Sequence, residues 1–284
     1  MASKTNTVAV VTAFVNSFSF FEVYLLNGFE KQNLDMGKRY KLNQYSTGGS
    51  IQRKKDFLRA LTTDRIADGV ISMFLHFDEE DMKALNGANI PVVFVDEEME
   101  GAHSVKSDNF KGAFMATEYL IKKGRKDIGF VMGQMKNEGT GITPLERLHG
   151  YKSALNQYGI AYDEKRVVEI INYSFEEGEK AFAELVSRSV KLDSVFSSAG
   201  DMVGLGVMDE AQRQKMDVPK DLAIIGYDDI NMAALSKPPL TTVKQPIELM
   251  GREAFRLVVD AIEEKLSKPQ KIIHAPELVI RGSA

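Results

Sequence analysis

Two adjacent carboxylates, Asp228 and Asp229, follow the apolar run 222–225 and the pair Gly226-Tyr227. Neighbouring acids can share a proton for acid–base catalysis, accept hydrogen bonds from a polyol, or cap a turn. Adjacent residues on an extended segment point to opposite sides, which argues against a shared catalytic proton. The carboxyl end of a strand in an open α/β sheet is where ligands collect. Asp229 is expected to act as a local cap or turn residue for the segment beginning near Ile230. Other chemistries lack their spacing. The first strand runs into FVNSFSFF, without the GxGxxG that lets backbone approach a pyrophosphate. The glycines of residues 200–206 (GDMVGLG) have neither that spacing nor a P-loop lysine, and read as helix-packing positions. His149 has no Ser or Cys partner at recognisable spacing. Four histidines and no cysteines leave no metal-ligand cluster and no disulfide. No catalytic residue, metal or cofactor is expected, and the chain is not expected to be an enzyme.

The elements that must position these acids alternate along the chain. Of the 284 residues 44% are hydrophobic and 27% charged, which allows one large or two medium domains. A net charge of −4 lacks the basic footprint of a nucleic-acid binder. Strand-like runs at 7–13, 39–45, 69–74 and 91–95 alternate with helical spacing around residues 21–29, 51–61 and 79–85. A second series follows, with helices at 110–123, 145–158, 176–187 and 202–214 and strands at 127–132, 167–173, 194–198 and 222–225. An amphipathic stripe covers 247–266, opened by Pro246, and residues 277–281 read as a last strand. Repeated helix–strand alternation implies right-handed crossovers and parallel sheets. Two series of this length fit two doubly wound lobes better than one continuous sheet.

Several blocks, in order, resemble the effector-binding region of the LacI/GalR family of bacterial transcription regulators. They are VPKDLAIIGYDDI, PPLTTVKQPIELMGREAF and PELVIRGSA at the end, with ERLHGYKSAL, DSVFSSAGDMVGLGVM and DGVI before them. The resemblance spans residues 7–283. It implies two Rossmann-like lobes of the periplasmic binding protein type, joined by three crossover strands, with a small molecule in the cleft. The first lobe is expected to hold residues 7–106 and 244–271, and the second 107–243 and 272–284. Family members open with a helix-turn-helix and hinge, which this sequence does not show.

The resemblance also implies site residues. Arg147 matches an arginine that reaches the ligand from the second lobe; its planar guanidinium can fork onto vicinal hydroxyls or a carboxylate. Asp228 matches an acid that accepts from sugar hydroxyls, and a partly buried carboxylate there is expected to pair with Arg147. Phe20 and Phe21 stand where the family places stacking aromatics, although Phe21 also fits a helical core stripe. Tyr173 matches a cleft aromatic at the end of its strand, and Asp96, Thr143 and Asp201 complete the polar set. Where sugar-binding members often carry Asn-Asp, this sequence has Gly200-Asp201, which removes an amide. The expected effector is a sugar or sugar derivative, with purines open. Operator DNA is expected to be contacted through an N-terminal domain absent from this chain, within a homodimer. A periplasmic sugar-binding protein of a transporter is the alternative; it requires a signal peptide, and MASKTNTVAVV has no such pattern. No apolar run reaches spanning length, so a cytoplasmic location without a membrane partner is expected.

Overall fold

Runs that are apolar on both faces become the central strands of two sheets. The computed structural model describes residues 4–13, 20–134 and 142–284. In the first unit, β1 (Thr7–Thr12), β3 (Gly69–Met73) and β4 (Val92–Val95) are buried at every position, as expected for parallel strands covered by helices on both sides. With β2 (Lys41–Ser46), β5 (His103–Ser107) and β11 (Lys271–His274) they form an all-parallel sheet in the order β2-β1-β3-β4-β5-β11. The helices are α1 (Phe20–Asp35), α2 (Ile51–Arg59), α3 (Glu79–Gly87) and α9 (Ile247–Ile262). The second unit repeats the plan. Its sheet runs β7 (Val167–Ile170), β6 (Ile128–Gly133), β8 (Ser194–Ser197), β9 (Ala223–Asp228), β10 (Thr241–Lys244), β12 (Glu277–Val279), and only β12 is antiparallel. Its helices are α4 (Asn109–Lys122), α5 (Thr143–Gln157), α6 (Phe175–Ser187), α7 (Asp201–Arg213) and the short α8 (Asn231–Leu235). Strand order reverses at β1 in one sheet and at β6 in the other. Outside such a switch point, at the carboxyl ends, doubly wound sheets leave room for a ligand.

One unit takes residues up to Ser107 with Pro246–His274; the other takes 108–134, Ile142–Gln245 and Ala275–Ala284. The later boundaries have a simple cause: β10 hydrogen-bonds to β9 as far as Lys244, and β11 pairs with β5 as far as His274. The two passages near 244 and 272 are themselves strands.

Local chemistry sets the start of four helices. Ser50, Asp108 and Ser174 accept from the backbone N–H of Arg53, Lys111 and Glu177, and Asp78 forms a capping box with Asp81. The helix expected to reach Leu266 stops at Ile262, because Glu264 turns left-handed (φ 55°). The strand expected to reach Tyr173 stops at Ile170, and α6 is capped by the residue after Tyr173.

Helix α1 lies directly on α9 through two glycines. A Cβ at Gly28 would stand 2.2 Å from the Glu248 carbonyl oxygen, and one at Gly251 would stand 2.4 Å from that of Leu25. Gly28→Ala must therefore push the helices apart, at a cost of roughly 1–3 kcal/mol. Urea denaturation reads this; an unchanged midpoint would contradict the close packing.

Candidate ligand site

The second unit assembles a polar group at the carboxyl end of its sheet. Arg147 lies one turn into α5, and its side chain turns inward (7% exposed). Nε donates to Asn109 Oδ1 at 2.8 Å and Nη1 to the Ser198 carbonyl at 2.7 Å. The guanidinium carbon is 3.7 Å from the centroid of the Tyr227 ring, a cation–π contact on the residue that precedes Asp228. Gly112 makes room for that tyrosine, since a Cβ there would meet its hydroxyl at 2.3 Å. Arginine, asparagine and tyrosine thus form one fixed platform across α4, α5 and β9.

Asp228 ends β9 with φ 108° and Asp229 follows with φ 59°, two consecutive left-handed residues that are not glycine. Asp228 Oδ1 accepts from Gln245 Nε2 at 2.7 Å. Asp229 takes Arg281 Nη2 at 2.5 Å, while Arg281 Nη1 donates to the Leu240 carbonyl. The expected turn role of Asp229 is present, but its cap role is not: α8 has no cap from the side chain before it, and the Ile230 N–H goes to Asp201 Oδ2 instead.

Asp201 differs from its expected place as well. It is 1% exposed, with Thr242 donating to Oδ1 at 2.5 Å and Ile230 N to Oδ2 at 2.9 Å. Both oxygens are spent inside the protein. Burial pushes its carboxyl well above the usual range, and the Asp228 charge adds to the rise. Gly200 opens α7 at φ 108°, where a Cβ would meet Asp228 Oδ2 at 3.1 Å. That backbone suits glycine, which accounts physically for its presence where an Asn was expected. Thr143 is the half-buried first residue of α5, followed by Pro144. Tyr173 is 46% exposed and reaches over β6: a Cβ at Gly133 would stand 2.0 Å from its hydroxyl. Thr143, Arg147, Tyr173, Gly200 and Asp228 are therefore all at this edge, with Asp201 beneath it.

The first unit carries Phe20, Phe21 and Asp96 at the carboxyl end of its own sheet. Phe21 belongs to the core, with its ring 5.2 Å from that of Phe74; Phe20 is half-buried at the start of α1. Asp96 follows β4 with φ 58° and is 2% exposed. Glu22, which the sequence reading did not single out, accepts from Thr12 Oγ1 at 3.4 Å. Burial pushes its carboxyl up to about 7, against the lowering effect of Thr12. The folded state therefore holds this proton more tightly than the unfolded chain does. Stability falls as pH rises from about 4.5 to about 7 and is level above that. Glu22→Gln should stabilise the chain by roughly 1–2 kcal/mol at pH 8, allowing for partial solvation, and by nothing at pH 4. Melting curves at the two pH values check this; an equal gain at both would remove the proton from the account.

Asn109, Ser198, Tyr227, Thr242 and Gln245 also escaped the sequence reading. The last two lie in the LTTVKQP block that carries the family resemblance. Among the described residues no group of three His, Cys, Asp or Glu side chains could hold a metal ion, and no helix is long and apolar enough to cross a membrane.

Comparison with known proteins decides the family. Residues 117–284 match the model of the periplasmic binding protein-like domain. The HTH-type transcriptional regulator CelR of Thermobifida fusca is 31% identical over 287 residues, covering 99% of this chain and 82% of that protein. The chain belongs to the LacI family of transcriptional regulators. Within the family, the HTH-type transcriptional repressor PurR of Vibrio atlanticus is 30% identical, again over 99% of this chain and 82% of that protein. Among solved structures, a CelR–cellobiose complex superposes with a TM-score of 0.88 at 31% identity, covering 99% of this chain and 85% of that one. The regulator CcpA of Lactococcus lactis gives 0.83 at 26% identity, with 98% of each chain covered. The family's two-lobe α/β fold accounts for both sheets described above.

Proposed function

We propose that this chain is the effector-sensing part of its regulator, and that a sugar or sugar derivative binds at the carboxyl ends of the two sheets, in the cleft between the lobes. The observation that carries the reading is the Arg147 platform on Tyr227, one residue from the left-handed Asp228. A fixed guanidinium and a carboxylate on adjoining supports offer a donor fork and an acceptor to vicinal hydroxyls. Phe20 and Tyr173 supply rings for the apolar face of a sugar. Thr143 adds a hydroxyl, and Gly200 leaves open the space of the missing amide. Asp96 is deeply buried and shapes the first unit's edge; Phe21 supports Phe20 from the core. The cellobiose complex of the CelR relative supports a sugar, and the regulator relatives disfavour the transporter alternative and an enzyme.

The effector acts by binding one lobe arrangement better than the other. In a homodimer this difference reaches the operator through a helix-turn-helix outside residues 1–284, in the cytoplasm. A thermal-shift panel of sugars, sugar phosphates and purines tests the reading. A ligand at 100 times its Kd adds about 2.7 kcal/mol, a readily measured rise. At least one sugar should shift the chain; a panel in which only purines act, or nothing acts, contradicts the assignment.

A further inference from the structure

Asp201 sits behind the proposed effector edge, in a space that exists only because β9 carries a glycine. A Cβ at Gly226 would lie 2.1 Å from Asp201 Oδ1. The carboxyl group that fills this gap joins two segments distant in sequence. Oδ1 takes the Thr242 hydroxyl on β10 at 2.5 Å, and Oδ2 takes the Ile230 N–H at 2.9 Å. Ile230 is the residue before α8, and the chain reaches its N–H from Asp228, the last residue of β9, through Asp229. Both adopt left-handed backbone (φ 108° and 59°), which side chains with a Cβ disfavour, so the turn must be held from outside. Among the contacts that hold it, Gln245 donates to the Asp228 carboxylate, Arg281 donates to the Asp229 carboxylate, and Asp201 takes the backbone N–H just beyond. Asp228, which precedes both Asp229 and Ile230, lies at the edge of the sheet. A buried carboxyl close to another acid is a costly choice for packing alone, and Asp201 has no exposed surface with which to reach an effector.

We propose that Asp201 is a positioning residue of the effector site, which contacts no effector and acts through Asp228 by fixing the 228–229 turn before any ligand arrives. The inference rests on the reading of Asp228 as an effector acceptor, but its test uses no ligand, so the two can fail separately. NMR on the full 284-residue chain would follow Ile230 amide exchange and the backbone shifts of Asp228 and Asp229. Asp201→Ala should speed Ile230 exchange roughly tenfold or more relative to Ile225 on β9, and move both aspartates out of left-handed shifts. Asp201→Asn, which keeps an acceptor of the same length, should restore both readings; a residue that merely fills space would show no such rescue. If Asp201→Ala does not fold, Asp201→Ser, too short to reach Ile230, gives the same comparison. Wild-type exchange and shifts in the Ala or Ser variant would overturn the proposal, as would an Asn variant no better than Ala.

Discussion

Arg147→Lys is expected to lower the melting temperature and to erase the shift produced by an effector. The guanidinium makes two charge-assisted hydrogen bonds, to Asn109 and to the Ser198 carbonyl, from a buried position on the Tyr227 ring. Each such bond is worth about 1.5–3 kcal/mol, and the desolvated cation–π contact about 2 more. A lysine carries one compact ammonium and cannot satisfy the two acceptors while lying flat on the ring. The net loss should reach roughly 3 kcal/mol, or about 5–10 °C in melting temperature. The same change removes guanidinium donors that are proposed to face the effector. A variant that melts like the wild type would mean the platform is not held as described. One that loses stability but keeps full affinity would move the effector elsewhere.

Asp228→Asn should behave in the opposite way, weakening the effector while stabilising the fold. Losing one charge-assisted acceptor costs about 1.5–3 kcal/mol of binding, or roughly 10–150-fold in Kd. Yet Asn tolerates left-handed backbone better than most residues, and the substitution removes the charge that helps push the Asp201 carboxyl up. A gain of about 0.5–1 kcal/mol is expected at neutral pH, the trade of stability for activity usual at binding sites. Calorimetric titration beside a denaturation curve reads both quantities. If affinity and stability fell together, Asp228 would be a structural residue first.

The fold was largely legible because parallel strands buried on both faces leave continuous apolar runs, as at Thr7–Thr12 and Val92–Val95. The strand His103–Ser107 left no such run: its burial rests on Ser104, Lys106 and Ser107, polar residues whose environment is created by the neighbouring strands. Arg147 and Asp228 were singled out through motif blocks, and Phe21, left open between core and site, lies in the core. Asp229, expected as a cap or turn residue, holds the turn through Arg281, while the N–H it was expected to cap goes to Asp201. The segment gives no sign that the Ile230 N–H is capped by a residue almost thirty positions earlier, since that contact exists only once β9 and α7 are packed. Tyr227 read only as half of a Gly-Tyr pair after an apolar run, and its use as a platform depends on Gly112 from helix α4. Pattern reveals which residues face a core; it reveals polar partners only when they are close in sequence.

The most direct test of the account is calorimetric titration of the strongest sugar from the panel into the wild type and into the Arg147→Ala, Asp228→Ala double variant. The account predicts saturable binding to the wild type and a loss of at least about 100-fold in the double variant, with its circular dichroism still that of a folded α/β protein. Undiminished binding to the double variant would contradict the assignment of Arg147 and Asp228 to the effector site.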